Sequence, residues 1–162
     1  MLVAVISDTH LPRGPRRLPA ACVERLLRAD LILHAGDLTT VAFLEELRAL
    51  GPPVQAVHGN IDEPALRESL PKRLVVEAGE ARIGILHIPG PKAGREERLA
   101  AHFRGCDAVV YGHTHLPQVA RHGDVWILNP GSPTERRRAP THTMLELRIR
   151  GKRLTPELIE LA

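Results

Sequence analysis

The 162-residue sequence is poor in several residue types that would point to particular functions. Only 2% of its residues are aromatic, so few side chains are available on which single-stranded nucleic acid could stack. Two cysteines are too few for a Cys-rich structural zinc site. The phosphate-binding fingerprints Gly-x-Gly-x-x-Gly and Gly-x4-Gly-Lys-Ser/Thr are both absent. The sequence therefore does not indicate a stacking surface for nucleic acid or a glycine-rich phosphate-binding loop.

The chain also lacks a long apolar segment at its start. Residues 1–6 are apolar, but no basic leader precedes them and they are too short to span a membrane. We therefore expect a cytoplasmic protein with no membrane partner. Cys22 and Cys106 lie in a predicted helix and on the approach to a predicted strand. We expect two small buried thiols there, rather than a disulfide or a metal site.

The remaining composition is that of an ordinary globular domain. Hydrophobic residues make up 43% of the chain and charged residues 25%. This length suits one domain with a sizeable core, so we predict a single domain over residues 1–162. The formal charge is only +3, which suits an anionic substrate without indicating nucleic acid as a partner.

Short apolar runs alternate with stretches that repeat apolar residues at helical spacing. The predicted helices are 19–29, 41–50, 63–70 and 95–103. The predicted strands are 2–6, 30–37, 54–57, 74–77, 82–86, 107–110, 125–128, 143–149 and 154–161. This alternation predicts an α/β fold, and in such folds ligands collect outside the carboxyl ends of the strands.

The motif Gly112-His113-Thr114-His115 follows one of these strands. In extended backbone, two imidazoles two residues apart point to the same side, so His113 and His115 are candidate metal ligands. A lone His-x-His is a weak indication of a metal. A metal site is indicated only if other strand ends carry residues of the same kind.

Four other strand ends do carry such residues, namely Asp8 with His10, Asp37, Asn60 and His87. Each has a plainer alternative when taken alone. Asp8 and His10 also suit a turn with a surface histidine, Asn60 suits a turn, and His87 suits a buried core position. Gly36 before Asp37 leaves room for a ligand to approach, and Asp37 is our candidate for a carboxylate shared by two metals.

The seven side chains together offer oxygen and imidazole donors and no thiolate. This mixture favours Mn, Fe, Co, Ni or Zn over a Cys-rich structural zinc site. Seven ligands are too many for one catalytic ion and suit two ions, roughly 3.5–4 Å apart, that share one carboxylate. Such a pair turns a bridging water into hydroxide and clamps the oxygens of an in-line displacement. The predicted reaction is phosphoester hydrolysis.

In this order, the motifs resemble those of the calcineurin-like metallophosphoesterases: Asp8-x-His10, Gly36-Asp37, Gly59-Asn60-x-Asp62, His87 and Gly112-His113-x-His115. Asn129-Pro130-Gly131-Ser132 extends the match toward the end of the chain. Within that superfamily the chain is most similar to the small, single-domain phosphodiesterases of bacteria and archaea. The resemblance implies a β-sandwich of two mixed sheets flanked by helices, in four layers (αββα), with a dinuclear site at one edge.

The resemblance also implies roles for single residues. One metal would be held by Asp8, His10 and His115, and the other by Asn60, His87 and His113, with Asp37 bridging. We expect Asn60, His87 and His113 to act in catalysis. We expect two divalent transition metal ions, with manganese the first choice, and a phosphoester substrate, most of all a phosphodiester. Small members of the family often self-associate, so a homodimer is compatible with the resemblance.

Two positions depart from relatives. Asp62 stands where the protein-phosphatase branch has a histidine thought to protonate the leaving group, which points to the phosphodiesterase branch; alternatively, Asp62 caps the following helix. Ile88-Pro89 replaces the Gly-His that usually follows the equivalent of His87. The alternative function is a non-catalytic metal-binding scaffold on the same fold, as in the retromer subunit that resembles these enzymes but has an incomplete site.

Several other polar residues have plainer interpretations. We predict that His34 is a core histidine or braces a ligand. Arg13, Arg16 and Arg17 can gather phosphate oxygens or form a solvated charged loop. The run Glu-Arg-Arg-Arg at 135–138 predicts a solvated turn rather than a nucleic-acid patch.

Overall fold

A computed structural model describes residues 1–161, which contain four helices and ten strands. In chain order these are β1 (Leu2–Ile6), α1 (Ala20–Arg28), β2 (Leu31–His34), α2 (Val41–Arg48), β3 (Val54–Ala56), α3 (Pro64–Ser69), β4 (Arg73–Ala78), β5 (Ala81–Leu86), α4 (Arg95–His102), β6 (Ala108–Val110), β7 (Gln118–His122), β8 (Val125–Asn129), β9 (His142–Arg150) and β10 (Arg153–Leu161).

The strands form two mixed sheets of five strands each. The first has the order β10-β9-β1-β2-β3, in which β1, β2 and β3 are parallel and β9 pairs antiparallel with β1. The second has the order β4-β5-β6-β8-β7, with β5, β6 and β8 parallel and antiparallel strands at both edges. The carboxyl ends of three parallel strands in each sheet are therefore available to build a site.

Alternating side chains along the strands divide the core into layers. Val3 and Val5 of β1 belong to the same apolar cluster as Ile83 and Ile85 of β5, so this cluster lies between the sheets. The opposite face of the first sheet packs against α1, α2 and α3, and the outer face of the second sheet packs against α4. Because strand side chains alternate between faces, both faces of each central strand are buried. The predicted αββα sandwich is confirmed.

Most elements lie where the sequence predicts them, and each helix begins and ends within two residues of its predicted bounds. Strand β7 was not predicted. Its sequence, Gln-Val-Ala-Arg-His, has no apolar alternation, and the strand is formed by its antiparallel pairing with β8 at the sheet edge. None of the helices within residues 1–161 is long and apolar enough to cross a membrane.

The two cysteines are buried free thiols, as predicted. Cys22 lies on the buried face of α1 among the residues that cover the first sheet. Burial raises the pKa of its thiol to about 12, because the thiolate would lose its hydration there.

Candidate metal centre

All seven predicted ligands lie in loops that follow strand ends at one edge of the sandwich. Asp8 and His10 follow β1, Asp37 follows β2, Asn60 follows β3, His87 follows β5, and His113 and His115 follow β6. Three of these strands belong to the first sheet and two to the second. The edge therefore collects donor side chains from both sheets.

Six of the seven side chains form two groups of three, within each of which the donor atoms lie within 4.8 Å of one another. One group is Asp8, His10 and His115, and the other is Asp37, His87 and His113. Asp37 lies between the groups, because its Oδ2 is 3.1 Å from His87 Nε2 and 3.4 Å from His10 Nε2. This is the position that a carboxylate shared by two ions requires.

The seventh side chain, Asn60, joins the second group. Its Oδ1 lies 3.0 Å from His87 Nε2 and 3.0 Å from His113 Nδ1. Asn60 is exposed and His113 is only partly buried, whereas His87 is buried. The second group therefore has a side that is open to solvent, while the first group is enclosed.

Each carboxylate is fixed through one oxygen and presents the other to histidines. Asp8 Oδ2 accepts hydrogen bonds from the Ser7 hydroxyl (2.7 Å) and from the backbone N–H of His113 (3.0 Å), while Asp8 Oδ1 lies 3.3 Å from His115 Nε2. Asp37 Oδ1 likewise accepts from the backbone N–H of Ile61 (3.0 Å). These hydrogen bonds fix each carboxylate so that its other oxygen faces the histidines and is available to bind a metal ion.

The histidines are oriented from outside the centre. Nδ1 of His87 donates to the carbonyl oxygen of Ala35 (2.8 Å), and Nδ1 of His115 donates to the carbonyl oxygen of Glu135 (2.5 Å). A carbonyl can only accept, so in the neutral imidazole the proton is on Nδ1 and Nε2 keeps its lone pair toward the centre. Metal-binding histidines are commonly held in this way.

Glu135 is a residue of the centre that the sequence interpretation missed. Its Oε2 accepts from Nδ1 of His10 (2.5 Å), and Arg16 donates to the same oxygen (3.2 Å). Arg13 and Arg137 lie within 4 Å of its Oε1. The predicted solvated turn at 135–138 is therefore wrong for Glu135, which braces two histidines of one group. No sequence motif marks it, because its partner His10 is distant in the chain.

The ligand loops have unusual backbone conformations. Asp8, His10, Asp37, His113 and His115 have φ angles between +48° and +72°, in the left-handed region that side chains other than glycine seldom adopt. The extended backbone predicted for His113 and His115 is therefore wrong, and the two imidazoles enter different groups. Such conformations cost on the order of 1–3 kcal/mol each and concentrate at functional sites.

Glycines let the loops approach one another. A Cβ at Gly112 would overlap the Ser7 hydroxyl and lie 2.9 Å from Asp8 Oδ2. A Cβ at Gly36 would lie 2.7 Å from Nδ1 of His87, and one at Gly59 would overlap the Asp37 carboxylate. The glycines of the motifs are thus required by the packing of the ligands themselves.

Asp62 connects the loops and does not cap α3, so the predicted cap is wrong. The N-cap residue of α3 is Glu63, with no side-chain cap. The Asp62 carboxylate instead accepts from the backbone N–H groups of Asp37 (3.2 Å), Thr39 (2.7 Å) and Gly59 (2.6 Å). It thereby ties the loop after β2 to the loop after β3.

His34 supports the centre from the core, as predicted. It is fully buried at the end of β2, its Nδ1 accepts from the backbone N–H of Gly36 (3.1 Å), and its Nε2 lies 3.0 Å from the Thr9 hydroxyl. Burial lowers the pKa of His34 to about 3, so the imidazole is neutral at physiological pH. It holds together the loops that carry Asp8 and Asp37.

The electrostatics of the centre suit a bound cation. Burial raises the pKa of the Asp8 and Asp37 carboxyls, but contacts with His115, His10 and His87 outweigh it and hold both pKa values below their usual range. Asp8 Oδ1 and His10 Nε2 are buried without a hydrogen-bond partner in residues 1–161. Unsatisfied buried acceptors of this kind cost free energy, and a metal ion between them would satisfy both. The residues present therefore fit the metal ions that the sequence predicts.

Comparison with known proteins agrees with this geometry. Residues 1–152 match the calcineurin-like phosphoesterase superfamily domain. A probable metallophosphoesterase of Methanothermobacter thermautotrophicus is 38% identical, covering 98% of this chain and 92% of the relative, and one of Methanocaldococcus jannaschii is 37% identical, covering 94% and 78%. Vps29 of Entamoeba histolytica, solved in complex with Zn²⁺, is 26% identical and covers 100% of both chains with a TM-score of 0.79. The chain thus belongs to the calcineurin-like phosphoesterase superfamily.

Proposed function

We propose that this protein is a dinuclear, metal-dependent phosphodiesterase. Water adds across one P–O bond of the diester by in-line displacement, and the products are a phosphomonoester and an alcohol. The observation that carries this proposal is the pair of three-residue donor groups: Asp37 of the second group also lies 3.4 Å from His10 of the first, and Asn60 completes the second group. One ion alone would leave one of the two groups without a function.

In this proposal the residues divide between two ions as the sequence resemblance implies. Asp8, His10 and His115 would hold one ion, and Asn60, His87 and His113 the other, with Asp37 shared. When bound, two such ions supply a Lewis acid that lowers the pKa of water and neutralises charge on the phosphate oxygens. Oxygen and imidazole donors suit Mn, Fe, Co, Ni and Zn, and manganese is the first choice to test.

The residues of the chain contribute by fixing positions and by controlling access. Glu135 and Ala35 hold the outer nitrogens of three histidines, so the imidazoles lose little freedom when an ion binds. Because Asn60 and His113 are the more exposed ligands, substrate would approach from the second group. We therefore assign Asn60, His87 and His113 as the residues nearest the reacting phosphate.

The absence of a proton donor at positions 88 and 89 affects which esters are good substrates. The Asp62 carboxylate already accepts three backbone hydrogen bonds, so it serves as a support for the loops rather than as an acid. Ile88-Pro89 supplies no titratable group beside His87. Diesters whose alcohol leaves as a stable anion, such as aryl esters, need no protonation, and we expect them to be cleaved fastest.

The first test is hydrolysis of bis-p-nitrophenyl phosphate and of p-nitrophenyl phosphate by metal-stripped protein, after adding back Mn, Ni, Co, Zn or Mg separately. We expect diester cleavage to return with a transition metal. Asp37→Ala and His113→Ala should each abolish it, while Asp124→Ala and His122→Ala, at exposed positions of the β7–β8 hairpin, should retain wild-type turnover. Wild-type turnover in Asp37→Ala or His113→Ala would contradict the proposed mechanism.

The alternative is a metal-binding scaffold without catalytic activity, and the structural similarity to zinc-bound Vps29 favours it as the second candidate. It predicts that the protein binds two ions per chain, measured by elemental analysis, yet cleaves no member of a broad phosphoester panel. In that case Ile88-Pro89 would be the first position to restore toward the family pattern. A homodimer and a cytoplasmic location stay predictions from the sequence.

A further inference from the structure

A cavity of about 570 Å³ opens beside the second donor group. Asn60 and His87 form part of its wall, so it is continuous with the candidate metal centre. The remaining wall comes from α3, the start of β4, the loop after β5, and α4. Its volume is typical of a small-molecule site.

The charge of this cavity is one-sided. Arg67, Lys72, Arg73 and Arg98 line it, and the lining contains no aspartate or glutamate. Within residues 1–161, none of these four side chains lies within 4.0 Å of a carboxylate, although Arg13, Arg16, Arg25, Arg48, Arg121, Arg137 and Arg148 all do. For a chain with a net charge of only +3, this concentrates uncompensated positive charge in one place.

The four cationic side chains differ in how they are held. Arg98 donates to the carbonyl oxygens of Pro89 (2.9 Å) and Pro91 (2.6 Å), and Arg67 donates to that of Asp62 (2.9 Å). These carbonyl groups fix the guanidinium groups without neutralising them. Lys72 and Arg73 are exposed, and their side chains make no hydrogen bond within the described residues. They are available to an incoming anion.

The rest of the cavity wall is largely apolar, apart from the imidazoles of His58 and His102. Leu86, Ile88, Pro89 and Leu99 line it, and Ile88 is 48% exposed even though it directly follows the ligand His87. Ile88-Pro89 thus places an apolar surface directly beside His87. An exposed isoleucine between a metal ligand and a basic surface suits an uncharged part of a substrate.

We propose that this cavity, here called the second-anion cavity, selects phosphodiesters that carry a further anionic group, joined to the reacting phosphate through an uncharged, largely apolar part. The reacting phosphate lies at the donor groups, the apolar part contacts Ile88 and Pro89, and Lys72 and Arg73 bind the further anion. This substrate class depends on the proposed phosphodiesterase activity, whereas the anion binding does not.

Two substrates that differ only in the further anion test the proposal. Thymidine 5′-(p-nitrophenyl phosphate) and the same diester with a 3′-phosphate both release p-nitrophenolate. We expect kcat/KM of the wild type to be about tenfold higher for the 3′-phosphorylated diester, since one or two charge-assisted contacts are gained. The ratio should decline as the salt concentration rises.

The chain contains a matched control for a variant in which Lys72 and Arg73 are both replaced. Lys72-Arg73 and Lys152-Arg153 are both exposed Lys-Arg pairs in which the arginine is the first residue of a strand, but Lys152-Arg153 lies outside the second-anion cavity. Lys72→Ala with Arg73→Ala should bring the kcat/KM ratio close to one. Lys152→Ala with Arg153→Ala removes the same charge and should leave the ratio at the wild-type value.

A binding measurement on metal-free protein separates this proposal from the enzymatic one. By calorimetry in EDTA, thymidine 3′,5′-bisphosphate should bind about tenfold tighter than thymidine 5′-phosphate, and the Lys72/Arg73 variant should lose this preference. If the wild type prefers the bisphosphate but cleaves neither diester, this result would support the cavity proposal and refute the phosphodiesterase proposal. Equal binding of the two nucleotides, or a preference that the Lys72/Arg73 variant keeps, would overturn the cavity proposal even if both diesters are cleaved.

Discussion

Glu135 holds an unusual position among the side chains around the centre. Its carboxylate accepts from Nδ1 of His10, its backbone carbonyl accepts from Nδ1 of His115, and three arginines surround its carboxylate. A single residue therefore sets the orientation of both imidazoles in one donor group. Its negative charge also offsets guanidinium groups that would otherwise repel a metal ion.

We expect Glu135→Gln to weaken binding of one of the two metal ions by about 10–100-fold, the range usual for a partner of a metal-bound histidine. The amide keeps the shape of the side chain but removes the charge facing Arg16 and His10. Competition with a chromogenic chelator measures both affinities. Glu157→Gln, at an exposed glutamate of β10, should bind both ions as the wild type does. Unchanged affinity for both ions in Glu135→Gln would contradict this role.

The sequence could identify the candidate ligands but not Glu135, and the reason is physical. Asp8, His10, Asp37, Asn60, His87, His113 and His115 all follow apolar strands, so local patterns mark them. Glu135 lies in a loop after β8, within a basic run that resembles an ordinary solvated turn. Only the meeting of the two sheets brings it to His10. A contact between segments so distant in the chain leaves no periodic signal.

Among the secondary-structure elements, β2 ends in His34, and this residue links the stability of the fold at low pH to the candidate metal centre. His34 is fully buried, and its neutral imidazole accepts from Gly36 and contacts the Thr9 hydroxyl. Burial lowers its pKa to about 3. In the unfolded chain a histidine has a pKa of about 6.5, so below that pH the unfolded state takes up a proton that the folded state refuses. Stability is therefore greatest above about pH 6.5 and is lost as the pH falls toward 3.

Between pH 7 and pH 5 this difference in proton uptake amounts to about 2 kcal/mol. We expect the free energy of unfolding of metal-free wild type, measured in urea, to decrease by about that much more over this range than that of His34→Gln. His122→Gln, at an exposed position of β7, should keep the wild-type pH dependence. Parallel curves for wild type and His34→Gln would show that His34 does not govern the acid response.

Loops from both sheets approach each other closely at Gly112, where a larger side chain should affect both stability and metal affinity. A Cβ at Gly112 would overlap Ser7 and press on the Asp8 carboxylate, whereas the nearest atoms to a Cβ at Gly84 in β5 all belong to Phe103, which is not a candidate ligand. Both substitutions by alanine should destabilise the fold by about 1–3 kcal/mol, as crowding in a packed core does. Only Gly112→Ala should also lower metal affinity, measured by chelator competition. Equal metal affinity in the two variants would mean that the Asp8 loop adapts freely.

The same elements explain where sequence patterns succeed and fail. Strand β1 coincides with its predicted bounds because Leu2 to Ile6 are apolar on both faces. Strand β7 could not be recognised, because its edge position lets polar residues face solvent and only its pairing with β8 defines it. The left-handed conformation of His113 and His115 was equally hidden, since nothing but the surrounding packing forces a non-glycine residue into it.

At the scale of the whole molecule, the two sheets share one apolar interior, and at one edge they also share the candidate metal centre. The first donor group combines Asp8 and His10 from the first sheet with His115 from the second. The second group combines Asp37 with His87 and His113 in the same way. Each ion would therefore connect the two sheets, so that metal binding and the packing of the sandwich are coupled.

Because the ions would bind the folded state and connect both sheets, removing them should lower the melting temperature. At a free ion concentration about 100 times Kd, each site adds about 2.7 kcal/mol, which for a chain of this size corresponds to roughly 5–10 °C. Thermal unfolding followed by circular dichroism, with saturating Mn²⁺ or with EDTA, measures the difference. Asp37→Ala should lose most of this stabilisation, because Asp37 contacts histidines of both groups, whereas Asp124→Ala should keep it. A wild type that melts at one temperature with and without metal would show that the donor groups do not connect the sheets through bound ions.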